Sequence, residues 1–434
     1  MNCLSTLWGQ INPQGDRKIM VRKDVKIQIN TILWENTVKK IETDFGKKYS
    51  KTDCMLIIML LALYKRKNKS HSKDNLYRAV KHPNQLATSA YKSMTIAVYD
   101  GLLEMLQEQY PSHTYSQIIE FAIADFLMLP TTFYTDCITP LYTIVGSKNQ
   151  TMQMATAFAV DNMKLPHESI TLVDGCCATG SLFMGLKTYP WKAVILNDLN
   201  PLRTNFLNVL KREPLKIVKK ILETDLSFIE QPKTKNPILK EYKELTNNYV
   251  EKRTKYQRVD CNVDIAYKMF ILQCIDKANI DKSDRILQRT LKFIPAHIKL
   301  QNAIITQEDC LSYLKNDDNN KLVLLDVPYI GSEHTCGITG YNYKPFHEKV
   351  AEYLHNATYT FLYYCRSTPP KSEKTFAKAD AEYIMKMKLA CHFMDKGYYL
   401  QKVPLTEDTE LIISNRQYNP DIQFQWSDIN TNLL

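Results

Sequence analysis

Hydrophobic and polar residues alternate in two short stretches of the amino-terminal third of the chain, residues 26–30 and residues 94–98. Strict alternation of this kind favours a half-exposed β-strand. Each stretch is followed by two segments with helical spacing of apolar residues, separated by a short turn. The predicted helices are residues 33–45, a segment capped near Ser50, residues 102–109, and a segment capped near Thr114 that runs through Phe126. Residues 24–133 therefore predict one strand-helix-helix unit used twice.

The pattern changes after about residue 170, where short apolar runs end at polar or acidic positions. The runs cover residues 170–173, 193–196, 302–305 and 322–325. Short buried strands that alternate with helical segments predict an α/β fold with a parallel sheet. Residues 202–300 are charged and poor in glycine, so we expect a helical insertion there. The expected organisation is a tail at 1–23, a mainly helical module at 24–133 and an α/β domain at 134–434.

Composition sets the class of protein. With 434 residues, of which 44% are hydrophobic and 24% charged, the chain is long enough for two or three domains. Its 11 cysteines include no Cys-x-x-Cys pair, which favours reduced thiols and argues against a structural metal. Residues 1–15 lack a signal pattern, and the apolar run at 54–63 is too short to cross a bilayer. We expect a cytoplasmic protein without a membrane segment.

The net charge of +10 is concentrated in two blocks. Residues 17–81 contain 17 basic and 6 acidic side chains, and residues 202–258 contain 14 basic and 7 acidic side chains. Two basic blocks separated by a less basic scaffold indicate a polyanion that is contacted at two places. The alternative is that the basic residues only solvate helix faces.

Four acidic residues follow the four apolar runs: Asp174, Asp198, Asp309 and Asp326. Open α/β sheets bind ligands just beyond the carboxyl ends of their strands. The small residues of the loop 174–181 let a ligand approach the backbone at a helix amino terminus. Asp198 lies where an acidic side chain accepts hydrogen bonds from both hydroxyls of a ribose. Alternatively, each carboxylate caps the helix that follows it.

Residues 323–329 are the most informative segment, because an apolar run ends there in Asp-x-Pro-Tyr. The carboxylate of Asp326, the rigid turn at Pro328 and the ring of Tyr329 follow a buried strand directly. A carboxylate acceptor beside an aromatic ring suits chemistry on a planar amine. We therefore expect this tetrapeptide in the active-site crevice.

The doubled unit at residues 24–133 resembles the ribbon-helix-helix DNA-binding fold, in which two copies pair their strands into a ribbon that enters the major groove. The resemblance implies that the outward side chains of Lys26, Gln28 and Asn30 read bases, because Gln and Asn match the donor and acceptor of adenine. The second copy offers only Thr95 and Ala97, which supply weak contacts, so it is expected to be chiefly a structural partner. The alternative is a helical extension that only packs on the rest of the protein.

Residues from about 140 to 415 resemble the Dam-like adenine-specific DNA methyltransferases, which use S-adenosylmethionine. The motifs occur in the family's order, at residues 140–148, 173–183, 197–208, 307–309, 326–329, 341–347 and 410–415. The residues at cofactor-binding positions are Gly146, Lys148, Asp174, Gly180, Ser181, Asp198 and Asp309. The sequence departs from the family pattern at four places, where Ile144, Cys176, Ala178 and Val327 replace an aromatic residue, Phe, Gly and Pro.

This resemblance implies a Rossmann-like S-adenosylmethionine-dependent methyltransferase sheet that methylates the exocyclic amine of adenine in double-stranded DNA. The Asp326 carboxylate and the Val327 carbonyl would accept the two amine protons, in the loop that Pro328 shapes, and Tyr329 would stack on a flipped base. No covalent intermediate is implied.

The insertion at about 202–300 occupies the position of the family's target-recognition region. The basic residues expected to contact phosphates there are Lys211, Arg212, Arg253 and Arg258. Alternatives are a catalytically silent DNA-binding protein, methylation of the exocyclic amine of cytosine, and methylation of RNA. A restriction nuclease as a partner stays open as well, and no metal is expected.

Overall fold

The computed structural model describes residues 20–68, 91–141, 150–231, 235–253, 259–275, 282–315, 318–328, 343–366, 399–403 and 410–417. The chain divides into two compact units. The first unit draws on Met1–Thr135, Val209–Lys243 and Ala266–Gln301, and the second on Asp136–Asn208, Glu244–Ile265 and Asn302–Leu434. Among the described residues, no helix combines the length and apolar character needed to span a bilayer.

The described helices and strands are numbered here in chain order. The helices are α1 Thr31–Phe45, α2 Lys51–Asn68, α3 Asp100–Gln109, α4 Tyr115–Met128, α5 Thr132–Thr135, α6 Gln150–Asn162, α7 Ser181–Gly185, α8 Pro201–Arg212, α9 Pro214–Leu222, α10 Pro237–Arg253, α11 Val263–Cys274, α12 Lys282–Thr290, α13 Phe293–Leu300, α14 Leu311–Leu314 and α15 Tyr343–His355. The strands are β1 Arg22–Asn30, β2 Tyr91–Tyr99, β3 Thr171–Asp174, β4 Ala193–Asn197, β5 Ala303–Thr306, β6 Lys321–Leu325, β7 Thr360–Arg366, β8 Tyr399–Val403 and β9 Glu410–Ser414.

The first unit contains the doubled strand-helix-helix pattern that the sequence predicts, and these elements are confirmed. Strands β1 and β2 pair antiparallel along their whole length, from Arg22 opposite Tyr99 to Asn30 opposite Tyr91. The second helix of each copy begins at an expected cap. The Ser50 hydroxyl accepts the Asp53 amide at 3.1 Å, and Thr114 forms a capping box with Gln117. The paired strands form a two-stranded ribbon within one chain.

The outward position predicted for Asn30 is wrong. Lys26 and Gln28 are exposed as expected, but Asn30 is fully buried. Its side-chain oxygen accepts the amides of Ile32 at 3.0 Å and Leu33 at 3.2 Å, so it caps α1. Because α1 begins at the residue after the strand, this side chain satisfies helix amides that would otherwise lack partners.

The sequence predicts that the insertion at about 202–300 belongs to the carboxyl-terminal domain, and this is wrong for two of its parts. Val209–Lys243 and Ala266–Gln301 belong to the first unit. Helix α9 buries an apolar stripe there and carries polar contacts at its edges. Lys219 pairs with Asp53 at 2.5 Å, and just after the helix Glu223 accepts the Tyr99 hydroxyl at 2.5 Å. These helices stabilise the doubled module, because an amphipathic helix must bury its apolar face against another element.

His297 on α13 lies in the core of the first unit, in contact with the ring of Phe45 at a centroid distance of 5.2 Å. One imidazole nitrogen, Nδ1, is 2.9 Å from the Leu210 carbonyl and donates to it. Burial lowers the pKa of His297 to about 4, against the opposing effect of this hydrogen bond. The imidazole is therefore neutral in the folded protein at neutral pH.

We expect His297→Asn to change how stability depends on pH. The folded-state pKa of His297 is depressed, so its contribution is fully present above the ordinary value of 6.5 and is lost as the pH falls through about 4. The loss amounts to roughly 3 kcal/mol. In urea unfolding, the difference in the free energy of unfolding between wild type and variant should shrink by about that amount between neutral and acidic pH. A difference that stays constant across this range would contradict the role given to His297.

The second unit is built on a seven-stranded sheet with the order β5-β4-β3-β6-β7-β9-β8. Strands β3 to β7 are parallel, and β9 runs antiparallel to both of its neighbours. The first five strands of the sheet follow the 3-2-1-4-5 order of the Rossmann-like doubly wound fold. The predicted α/β class is confirmed, and the four predicted strands lie within two residues of β3, β4, β5 and β6.

Candidate functional site

The carboxyl edge of the sheet is where the chemistry-bearing residues lie. Strand β3 lies between β4 and β6, and β4 also pairs with β5, so four parallel strands are adjacent. Asp174 ends β3, Asp198 and Asp326 each directly follow a strand, and Asp309 follows β5 after a short loop. From β3 the chain adds β4 and β5 on one side, and it then adds β6 and β7 on the other side. The gap between β3 and β6 is therefore the topological switch point, where sheets of this kind bind ligands.

Asp174 is fully buried beneath this edge. Burial raises its pKa well above the ordinary value, and the negative charges of Asp326 and Asp198 raise it further, while the Phe183 amide opposes them. Neither carboxylate oxygen of Asp174 makes a hydrogen bond of normal geometry with another described residue, and the same holds for the hydroxyl of Thr179. Buried polar groups normally have partners, so these atoms suit a polar ligand at the loop.

The loop at 174–181 turns through two residues in the left-handed backbone region. Ala178 and Gly180 both have a positive φ, 50° and 68°. A residue with a Cβ in this left-handed region costs about 1–2 kcal/mol, so Ala178 is strained where glycine would not be. The Cys177 carbonyl accepts the Gly180 amide at 2.6 Å, so the loop is tightly closed. Ser181 then begins α7 and is buried, with its carbonyl bound by Gln153 Nε2 at 2.6 Å.

Asp198 is held in place by three donors. Its Oδ1 accepts the Asn200 amide at 2.8 Å, and its Oδ2 accepts the Ala178 amide at 2.8 Å and an Arg203 guanidinium N–H at 3.2 Å. The Asp198 side chain is only 6% exposed. Sequence reasoning missed Arg203, although it lies one turn along the helix that follows the strand, where a basic partner for Asp198 can be sought. The network joins the loop after β3 to the end of β4.

Asn197 is a second residue that sequence reasoning did not assign to the site. It is buried, and its Nδ2 donates to the carbonyls of Gly175 and Glu308, each at 2.9 Å. Its Oδ1 accepts the Glu308 amide at 2.9 Å and the Thr306 hydroxyl at 3.0 Å. One amide side chain at the end of β4 therefore fixes the loops that follow its two neighbours, β3 and β5.

Asp309 Oδ1 accepts the Leu311 amide at 3.0 Å, so its carboxylate binds the first amide of α14 from one residue before the helix cap, Cys310. Asp326 directly follows β6 and is partly exposed, whereas Val327 is buried against the core residues Phe346 and Val350. Pro328 is partly exposed. The structure thus turns Asp326 away from the core while Val327 anchors the turn.

The cysteines of this edge are poor nucleophiles. Hydrogen bonding to Cys310, then burial, raises the pKa of the Cys176 thiol well above its usual range. Burial, followed by the charge of Asp174, raises the pKa of Cys177 in the same way. A thiol reacts as its thiolate. Both thiols therefore remain protonated at neutral pH.

The candidate DNA-contacting residues whose side chains the structure describes all lie in the first unit. Lys26 and Gln28 are exposed on the ribbon. Arg212 is exposed at the end of α8, while Lys211 is partly buried, and burial lowers its pKa. Arg253 ends α10, but its side chain lies outside the description, as do Arg258, Tyr329, Gly146 and Lys148.

No protein-family model matches this chain, and no curated protein matches it.

Proposed function

We propose that this protein is an S-adenosylmethionine-dependent DNA methyltransferase that acts on the exocyclic amine of adenine and carries an amino-terminal DNA-binding module. The observation that carries the proposal is the convergence of Asp174, Asp198, Asp309 and Asp326 on the carboxyl ends of four adjacent parallel strands. The order of motifs along the sequence supports it independently.

The residues at this edge fit the cofactor. The buried oxygens of Asp174 and Thr179, which make no hydrogen bond of normal geometry within the described part of the chain, and the positive-φ turn at 178–180 suit a polar group held against the backbone. S-adenosylmethionine supplies a methyl group on a positively charged sulfonium centre. A cluster of carboxylates complements that charge in a site of low dielectric constant. Asp198 would accept from the ribose hydroxyls and Asp309 from the adenine amine.

The Asp326 carboxylate and the Val327 carbonyl would activate the adenine amine that receives the methyl group. The lone pair of an adenine amine is delocalised into the ring, so the nitrogen becomes nucleophilic only when its protons are drawn out of the ring plane. Two oxygen acceptors beyond β6 would bind those protons and stabilise the positive charge that develops on nitrogen. Because Val327 is buried, its carbonyl would be held in position without the proline ring that the resembled family has at this place, while Pro328 is kept.

The ribbon supports DNA as the substrate. Lys26 and Gln28 are exposed on β1, and Arg22 and Lys92 add basic side chains that are also exposed. A two-stranded ribbon fits the major groove, where such side chains reach base edges and phosphates. An RNA duplex has a deep, narrow major groove that side chains do not read, so duplex DNA fits this module better.

The direct test uses the full-length protein, methyl-labelled S-adenosylmethionine and unmethylated genomic DNA. We expect label in DNA, and after hydrolysis to nucleosides we expect it on the adenine amine. Label on cytosine would mean that cytosine, and not adenine, is the methylated base. Label in RNA but not in DNA would mean that RNA is the substrate. No transfer to any nucleic acid would remove the enzymatic proposal.

One observation favours a second candidate, a DNA-binding protein without turnover. Both oxygens of Asp198 are engaged by protein donors, and Ala178 holds a strained backbone conformation beside it. A carboxylate that cannot exchange these donors would not bind a ribose. Equilibrium dialysis with labelled S-adenosylmethionine separates the two candidates, because the silent protein should bind DNA but leave the cofactor free.

A further inference from the structure

The ribbon of the first unit has two chemically different faces. Strand β1 begins at Arg22, strand β2 begins at Tyr91, and both contain nine residues, so each β1 position corresponds to the β2 position 69 residues later. The helix after each strand begins at the same relative position, at Thr31 and Asp100. The two copies are thus related by a pseudo-twofold axis, which passes between Lys26 and Thr95, the central pair of the ribbon.

The inward face obeys this symmetry. At each of three corresponding positions both copies have an apolar side chain that packs beneath the ribbon. The pairs of corresponding residues are Val25 and Met94, Ile27 and Ile96, and Ile29 and Val98. The packing of the module therefore requires similar residues in both copies.

The outward face breaks the symmetry at all three corresponding positions. Asp24 corresponds to Ser93, Lys26 to Thr95, and Gln28 to Ala97, and every one of these residues is at least partly exposed. In the observed register, Gln28 faces Ser93 near one end of the ribbon, and Asp24 faces Ala97 near the other. One half of the surface thus presents an amide and a hydroxyl, and the other half presents a carboxylate and a methyl group.

Resting on the proposed DNA-binding function, we propose that a single chain reads an asymmetric duplex DNA site through this outward face. A two-stranded ribbon fits a major groove about 12 Å wide. The Gln28 amide matches adenine, and Ser93 accepts or donates to a neighbouring base edge. At the other end, the Asp24 carboxylate matches the amine of cytosine, and the Ala97 methyl matches thymine. The two halves of the site must differ because the side chains that face them differ.

The experiment selects duplexes from a randomised pool with the full-length protein and sequences those retained. We expect a base preference that lacks inverted-repeat symmetry at the ribbon's footprint, with one chain bound per duplex in sedimentation. Two chains per duplex, an inverted repeat, stronger retention of RNA, or no retention of DNA would each overturn the inference.

Two variants assign the preference to the ribbon and not to the sheet unit. Gln28→Ala should lower discrimination about 5- to 150-fold at base positions on one side of the footprint only. The combined variant Asp24→Ser, Thr95→Lys and Ala97→Gln makes the outward face symmetric, so the selected footprint should become an inverted repeat. All of these side chains are at least partly exposed, and the variants should therefore unfold at the wild-type temperature. A footprint unchanged by the symmetric variant would contradict the inference.

The selection is read from retained DNA and not from methylation. A chain that selects an asymmetric footprint without transferring methyl groups would support this inference while removing the enzymatic proposal. Methyl transfer to DNA with a footprint that ignores both ribbon variants would do the reverse.

Discussion

Asp326→Asn is expected to lower the rate of methyl transfer by about 10²- to 10⁴-fold, the range for loss of a positioned acid–base group. The amide has nearly the shape of the carboxylate, but it carries no negative charge, and its NH₂ group donates where an acceptor is needed. The measurement is single-turnover transfer of labelled methyl groups at saturating DNA. Because DNA binding precedes the lost step, the affinity for DNA should stay within a few-fold of wild type.

The matched control is Asp318→Asn, which changes an exposed aspartate just before the other end of the same strand. The Asp318 side chain accepts the Asn320 amide at 2.9 Å, and an asparagine oxygen can do the same. We expect the control to transfer methyl groups at the wild-type rate. An Asp326→Asn protein as active as this control would show that the carboxylate is not an acceptor in the reaction.

Asn197→Ala is expected to lower the free energy of unfolding of the second unit by roughly 3–5 kcal/mol. The variant removes four hydrogen bonds and leaves the Gly175 and Glu308 carbonyls without their buried donor. Each buried group left unsatisfied costs about 1–3 kcal/mol. Urea unfolding measures the loss. Cofactor affinity should fall as well, because the loops after β3 and β5 are no longer held to the end of β4.

Asn162→Ala is the matched control, since this exposed asparagine donates a single hydrogen bond to the Phe158 carbonyl at 2.8 Å. A surface change of this kind should alter stability by less than about 0.5 kcal/mol. If Asn197→Ala were as stable as Asn162→Ala, the loops would not depend on the Asn197 network.

The sequence predicted the elements of the fold well because their signals are local. Alternation along β1 and β2, caps at Ser50 and Thr114, and apolar runs at four strands each lie within a few residues. Asn30 was misplaced because the same alternation continues into the residue that caps α1, where a hydrogen bond to the helix outweighs the period of the strand. The insertion was misplaced because contacts such as Tyr99 with Glu223 join residues 124 apart, which no local pattern reveals.

The placement of the candidate site residues was predictable where one residue ends or directly follows one strand, as for Asp174, Asp198 and Asp326. It was not predictable where a side chain connects loops that are distant in sequence. Asn197 contacts Glu308, which is 111 residues away, and its role appears only once β5, β4 and β3 are adjacent. The positive φ of Ala178 is a similar case, since a sequence gives the residue type but not the backbone angle.

Both strands of the ribbon belong to one polypeptide, and this has a consequence for how the module behaves at low abundance. A ribbon assembled from two separate subunits loses its folded partner on dilution, so its melting temperature depends on protein concentration. Here the pairing of β1 with β2 is unimolecular. The module should therefore melt at the same temperature at nanomolar and micromolar protein, and a few copies per cell would suffice to keep it assembled.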